Sequence, residues 1–243
     1  MAEFNDPRTT TTGFGSVPRA GGQVVFDAGL RKHMLSIYNY MTSGVLLTGI
    51  VALMTYTSGM AATFASGPLM WIVALSPLAI VFAMSFGANR FSKTTLQMLF
   101  WAFAALMGLS LSTIFLRFTG ASIAVTFFAT AAAFAGLSLF GYTTQKSLSG
   151  WGSFLIMGVV GLLVAMIANM FLQSPGLMYA ISFIGVLIFA GLTAYDTQRL
   201  KNEYAMLRGT EFAGKAVVLG ALTLYLDFIN MFQFLLSFMG NRE

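Results

Sequence analysis

The sequence predicts an all-α membrane protein of seven transmembrane helices. Mean hydropathy is +0.80, and 57% of residues are apolar against 9% charged, where a soluble domain carries about 25% charged residues. Seven apolar stretches follow one another, at about 34–56, 69–89, 95–117, 121–141, 152–173, 177–199 and 216–239. Each approaches or exceeds the roughly 20 helical residues that cross a hydrocarbon core of about 30 Å. Alternating strand patterns are absent, which excludes an outer-membrane barrel.

Residues 1–30 are rich in Gly, Thr, Pro and Arg and lack apolar periodicity. They read as a disordered cytoplasmic tail preceding a single transmembrane domain, 31–243. The first apolar core begins near Met34, too late for a secretory signal. The lone histidine, His33, stands beside Arg31 and Lys32 and reads as an interfacial residue, with no second His to make it a ligand. In span one Asn39 and Ser43 share a face, and Asn169 lies late in span five; both sites read as interhelical hydrogen bonds. Pro77 lacks an N–H and is expected to kink span two. Trp71 and Trp151, near span ends, suit the interfacial aromatic belt. The run ATAAAFAG (129–136) in span four, with Gly158 and Gly161 in span five, predicts close helix–helix contact. Connections are short except 200–215.

Basic residues set the orientation. With the N-terminus inside, eleven of the thirteen fall on the inner side: Arg8, Arg19, Arg31, Lys32, Arg90, Lys93, Lys146, Arg199, Lys201, Arg208 and Lys215. Arg117 and Arg242 fall outside. This positive-inside bias predicts a cytoplasmic N-terminus and, after seven crossings, an outer C-terminus. A re-entrant last helix would move Arg242 alone. The net charge of +5 does not point to nucleic acid, because the cations sit singly between apolar spans without an aromatic-interleaved patch. There is no cysteine, so disulfides, thiolate metal sites and thiol nucleophiles are excluded. H-E-x-x-H, G-x-S-x-G and phosphate-loop patterns are absent. The chain reads as a non-enzyme without a cofactor.

Span seven, AVVLGALTLYLDFINMFQFLLSFM (216–239), carries Asp227 near its midpoint. A carboxylate there costs about 2.5–3.5 kcal/mol on insertion scales, so this helix belongs inside the bundle. Thr223, Asp227 and Asn230 are spaced by four and three and share a face, and Gly220 lets a neighbour approach. Asp227 is either a structural anchor between helices or a functional acid. Of the eight acids, the other one within a span is Asp196, near the inner end of span six. At a separation of about 4 Å and an effective dielectric near 20, two carboxylates repel by about 4 kcal/mol. They would share a proton, admit a cation, or separate toward a basic partner. Each outcome makes conformation respond to pH or cations. An intramembrane aspartyl protease is disfavoured, because Asp227 lacks the Gly-flanked setting of such sites.

The segments AYDTQRLK (194–201) and LGALTLYLDFINMFQFLL (219–236) resemble the signature regions of the Bax inhibitor-1 family, the transmembrane Bax inhibitor motif proteins. FGYTTQK (140–146) looks like the bacterial branch. The resemblance covers about 31–240. It implies six helices surrounding a central C-terminal one, and a pH-sensitive calcium leak closed by a hydrogen-bonded aspartate pair, here Asp196 and Asp227. It implies that an arginine at the inner end of the second helix, matching Arg90 in FGANRFSK, pairs with one aspartate on opening. The family often carries an acid inside the second helix; span two here has none. The bacterial inner membrane is the implied location.

The first functional expectation is therefore a calcium conduit in which Asp196 and Asp227, with water, Thr223 and Asn230, form a weak site suited to passage. A second is a regulatory binding protein of a membrane-bound ATP-dependent protease, with the tail 1–30 as the contact. A third, a proton-coupled solute transporter, ranks below both for want of a clear inverted repeat.

Overall fold

The computed structural model of the chain describes residues 28–241. Almost all of the expected tail, and the outer cation Arg242, lie outside the described residues. The elements are α1 (Ala28–Thr57), a short α2 (Met60–Phe64), α3 (Gly67–Gly87), α4 (Lys93–Leu111) running on into a 3-10 turn (Ser112–Leu116), α5 (Gly120–Thr143), α6 (Ser149–Leu172), α7 (Pro175–Leu207) and α8 (Ala213–Met239). Seven are long and apolar enough to cross a membrane. Their starts are written locally. Ser92, Thr119 and Ser174 accept from the amides of Thr95, Ser122 and Leu177 at 3.1, 3.3 and 3.3 Å, meeting orphan donors of the first turn.

The bundle is sorted by polarity. The acid-bearing α8 is innermost, with 67% of its spanning window buried, and it packs against α1, α4, α5 and α7. The two most apolar helices, α3 and α6, lie outermost on α4 and α7, each with 11% buried. In lipid an all-apolar surface belongs outside and polar groups belong within. Helix α8 is continuous over 27 residues, about 40 Å, so it spans rather than re-enters.

Several local expectations are revised. The 200–215 connection shortens to 208–212, because α7 continues to Leu207; Leu200 packs onto Gly220, where an added Cβ would lie 2.9 Å from Leu200 Cδ2. The alanine run of α5 does not drive contact. Thr130 and Phe134 are buried, whereas Ala132, Ala133, Ala135 and Gly136 are exposed. The close approach falls later, at Gly141, where a Cβ would meet the Ala194 carbonyl oxygen of α7 at 2.2 Å. Gly158 touches Ile188, but Gly161 has open space. Pro77 sits within a continuous α3. The Val73 carbonyl it leaves free accepts from the Ser76 hydroxyl at 3.2 Å. Asn39 and Ser43 are exposed, and among the described residues neither forms an interhelical hydrogen bond. Asn169 Oδ1 accepts from Ser174 N at 3.0 Å, closing its own turn. His33 packs on Tyr204, with ring centroids 5.1 Å apart.

Candidate functional site

The site lies where the inner half of α7 crosses α8. Two glycines let α7 settle there: Gly141 of α5 receives the Ala194 backbone, and Gly152 of α6 receives the Tyr195 ring. With α7 held from both sides, Asp196 is directed toward α8. Asp196 is 6% and Asp227 4% exposed, and their carboxyl groups lie within hydrogen-bonding reach. Asp227 Oδ2 has no hydrogen-bond partner among the described residues. The structure therefore brings together the two acids that span position alone had singled out.

The cation at the pair is Arg199. Its Nη2 lies 2.9 Å from Asp196 Oδ1, while its Nε faces Glu203 at 3.5 Å. The guanidinium also stands 5.9 Å above the Tyr195 ring. With one proton between the aspartates, this group of three carries a single carboxylate against a single guanidinium and is neutral. Losing that proton places an uncompensated negative charge in a buried position.

Arg90 lies elsewhere. It is exposed beyond the end of α3, its amide donating to Gly87 O at 2.9 Å, and it makes no ion pair among the described residues. The neighbouring Ala88 carbonyl accepts from Lys215 Nζ, at the start of α8, at 3.5 Å. Asp227 is twelve residues further along α8, about 18 Å. Arg199, and not Arg90, is the arginine that acts on the pair in this structure. Thr223 and Asn230 bond to their own helix instead, donating to Leu219 O at 3.2 Å and Leu226 O at 2.8 Å. Nothing here joins them to Asp227.

The remaining residues of the two signature segments have structural work. Thr197 and Ser138 share a hydrogen bond of 2.9 Å, and Ser138 and Tyr38 one of 2.5 Å, tying α7, α5 and α1 together. Gln198 accepts from Leu148 N at 2.7 Å and donates to Lys146 O at 2.9 Å, pinning the α5–α6 connection. Lys201 donates to Tyr142 O at 2.7 Å. In α8, Tyr225 is fully buried and shares a 2.6 Å hydrogen bond with Thr48, which donates to Ala104 O at 2.7 Å. Phe228 packs edge-on to Phe127 and Phe134. Sequence reasoning missed these roles, above all Arg199, which counted only as a topology charge. Its spacing of three from Asp196 on one helix was the available signal.

A family model described as "Inhibitor of apoptosis-promoting Bax1" matches residues 30–243. The chain belongs to the Bax inhibitor-1 family. A protein of Caulobacter vibrioides is 47% identical over 94% of this chain and 96% of its own length. The inner membrane protein YbhL of Escherichia coli is 44% identical over 93% of this chain and 98% of its own. A membrane protein of Streptococcus pyogenes is 34% identical over 89% and 96%. Like the Escherichia coli and Streptococcus pyogenes relatives, this family member is an integral membrane protein. Its signature aspartates are the buried pair. Among the described residues there is no group of three or more His, Cys, Asp or Glu that could hold a metal.

Proposed function

We propose that the protein is a pH-sensitive calcium leak of a bacterial inner membrane, with its N-terminus cytoplasmic and its gate formed by Asp196 and Asp227. The observation that carries this reading is the buried pair of carboxyl groups within hydrogen-bonding reach of each other, with Arg199 on Asp196. With a shared proton the helices are held together. Loss of the proton sets two carboxylates against each other with one cation, Arg199 on Asp196, and Glu203 competing for it. The helices then separate, and the freed carboxylates attract a divalent cation. Buried apolar residues further along α8, such as Met231 and Leu236, fit a closed conformation. The leak is passive, without enzymatic activity or a bound cofactor.

The test is calcium uptake by proteoliposomes of the pure protein from pH 6 to 8. Uptake should rise with pH, and Asp196→Asn and Asp227→Asn should each flatten that dependence. Uptake equal to protein-free vesicles throughout, or a parent-like pH curve in both variants, would refute the proposal.

A further inference from the structure

A furrow of about 650 Å³ runs between α1 and α5 on the flank of the bundle, and neither aspartate lines it. Its floor is Phe134 and Phe228, and its walls include Met34 and Met41 of α1 and Ala131 and Ala135 of α5. The alanine run, half of it exposed, thus has a physical consequence: small side chains on α5 leave the furrow deep. Its rim is open sideways, with Leu35, Leu46 and Leu139 exposed by 50, 58 and 63%. In a seven-span protein that opening faces the acyl region of the bilayer.

One end of the furrow is chemically different. Arg31 lines it at the start of α1, and Tyr142 lines it at the end of α5. Lys201 Nζ donates to the Tyr142 carbonyl at 2.7 Å and lies 5.7 Å over the Tyr142 ring. Neither cation is in an ion pair among the described residues. Two positive charges from two helices therefore stand at the end where α1 begins, at the depth of the headgroups. From Met34 to Leu46 the furrow follows twelve residues of α1, about 18 Å, close to one leaflet of a core roughly 30 Å thick.

We propose that this furrow is a binding site for an acyl chain of an anionic phospholipid, whose phosphate meets Arg31 and Lys201. The charge at one end decides for an anionic lipid, because Arg31 and Lys201 come from two helices and neither is in an ion pair among the described residues. The volume falls within the range of about 300–1,000 Å³ usual for small-molecule sites. Flexible methionines adapt to a mobile chain, and the paired cations select charge. The Tyr38–Ser138–Thr197 hydrogen-bond chain runs from the furrow to the residue beside Asp196, so the site adjoins the gate without sharing its acids.

The full chain in proteoliposomes is exposed to phosphatidylglycerol bearing a photoreactive diazirine on one acyl chain, or to phosphatidylcholine with the same chain. After irradiation the labelled peptides are mapped. Label should concentrate on residues 31–46 and 127–142, with phosphatidylglycerol favoured about fivefold for each cation engaged. Arg31→Gln, a change at an exposed side chain, should lower that preference about fivefold and leave phosphatidylcholine labelling unaltered. Ala135→Trp should remove label from the furrow and leave label on α3 and α6 as an internal control; Ala135→Leu serves if the larger side chain prevents folding. Equal labelling by both lipids, or furrow label unaffected by filling, overturns the proposal. Displacement by oleate but not by unlabelled phosphatidylglycerol overturns the phospholipid as occupant.

Discussion

Replacing Arg199 by Gln removes the cation at the aspartate pair and preserves much of the side chain's length. Arg199 Nη2 lies 2.9 Å from Asp196 Oδ1, and the arginine side chain is 39% exposed. Water therefore reaches the guanidinium, and the screened limit of Coulomb's law is the appropriate one. At 2.9 Å in a dielectric near 80 the attraction is about 1.4 kcal/mol, a discount suited to a partly exposed pair. The sign follows from which form the cation favours. Arg199 stabilises the ionised pair, so without it the shared proton is held more tightly. Opening should then require a higher pH. The assay is calcium flux into proteoliposomes at pH steps from 6 to 9, normalised to the maximal rate. Arg90→Gln, far from the pair in this conformation, should leave the midpoint unchanged and lower only the maximal rate if Arg90 supports the open state. An unchanged midpoint in Arg199→Gln with a shifted one in Arg90→Gln would show that the 2.9 Å contact does not set the titration.

Other outcomes test the packing around the pair. Gly141→Ala places a Cβ 2.2 Å from the Ala194 carbonyl oxygen, so α5 and α7 must separate; a loss of about 1–3 kcal/mol should appear as a lower thermal midpoint in detergent, and a parent-like melt would contradict the close approach. Thr48→Val strands the buried Tyr225 hydroxyl, whose partner at 2.6 Å is Thr48, at a cost of about 1–3 kcal/mol; Tyr225→Phe made in the Thr48→Val background should recover part of it. Gln198→Ala frees the Leu148 amide and the Lys146 carbonyl, and hydrogen exchange at 144–149 should accelerate while the core of α8 stays protected.

Composition and spacing were enough for the seven helices, because a spanning helix satisfies its own backbone and announces itself by length and hydropathy. Asp227 was legible as an interior group for the same reason: a carboxylate in the middle of an apolar stretch has no inexpensive place in lipid. That Asp196 meets it was not legible from composition or span position; the resemblance of the two signature segments alone implied the pair. The contact depends on Gly141 and Gly152 seating α7, and a glycine in a membrane helix reads the same whether it faces a neighbour, as Gly158 does, or open space, as Gly161 does. The choice of Arg199 as the cation, and the placement of Arg90 beside the start of α8, were likewise decided by how far α7 continues and where α3 ends. Local patterns fix what a segment is, because backbone hydrogen bonding and hydropathy act within it. Which faces meet is fixed by packing between segments distant in sequence, and that information is shared among Gly141, Ala194, Tyr195 and Asp227 rather than held by any one of them.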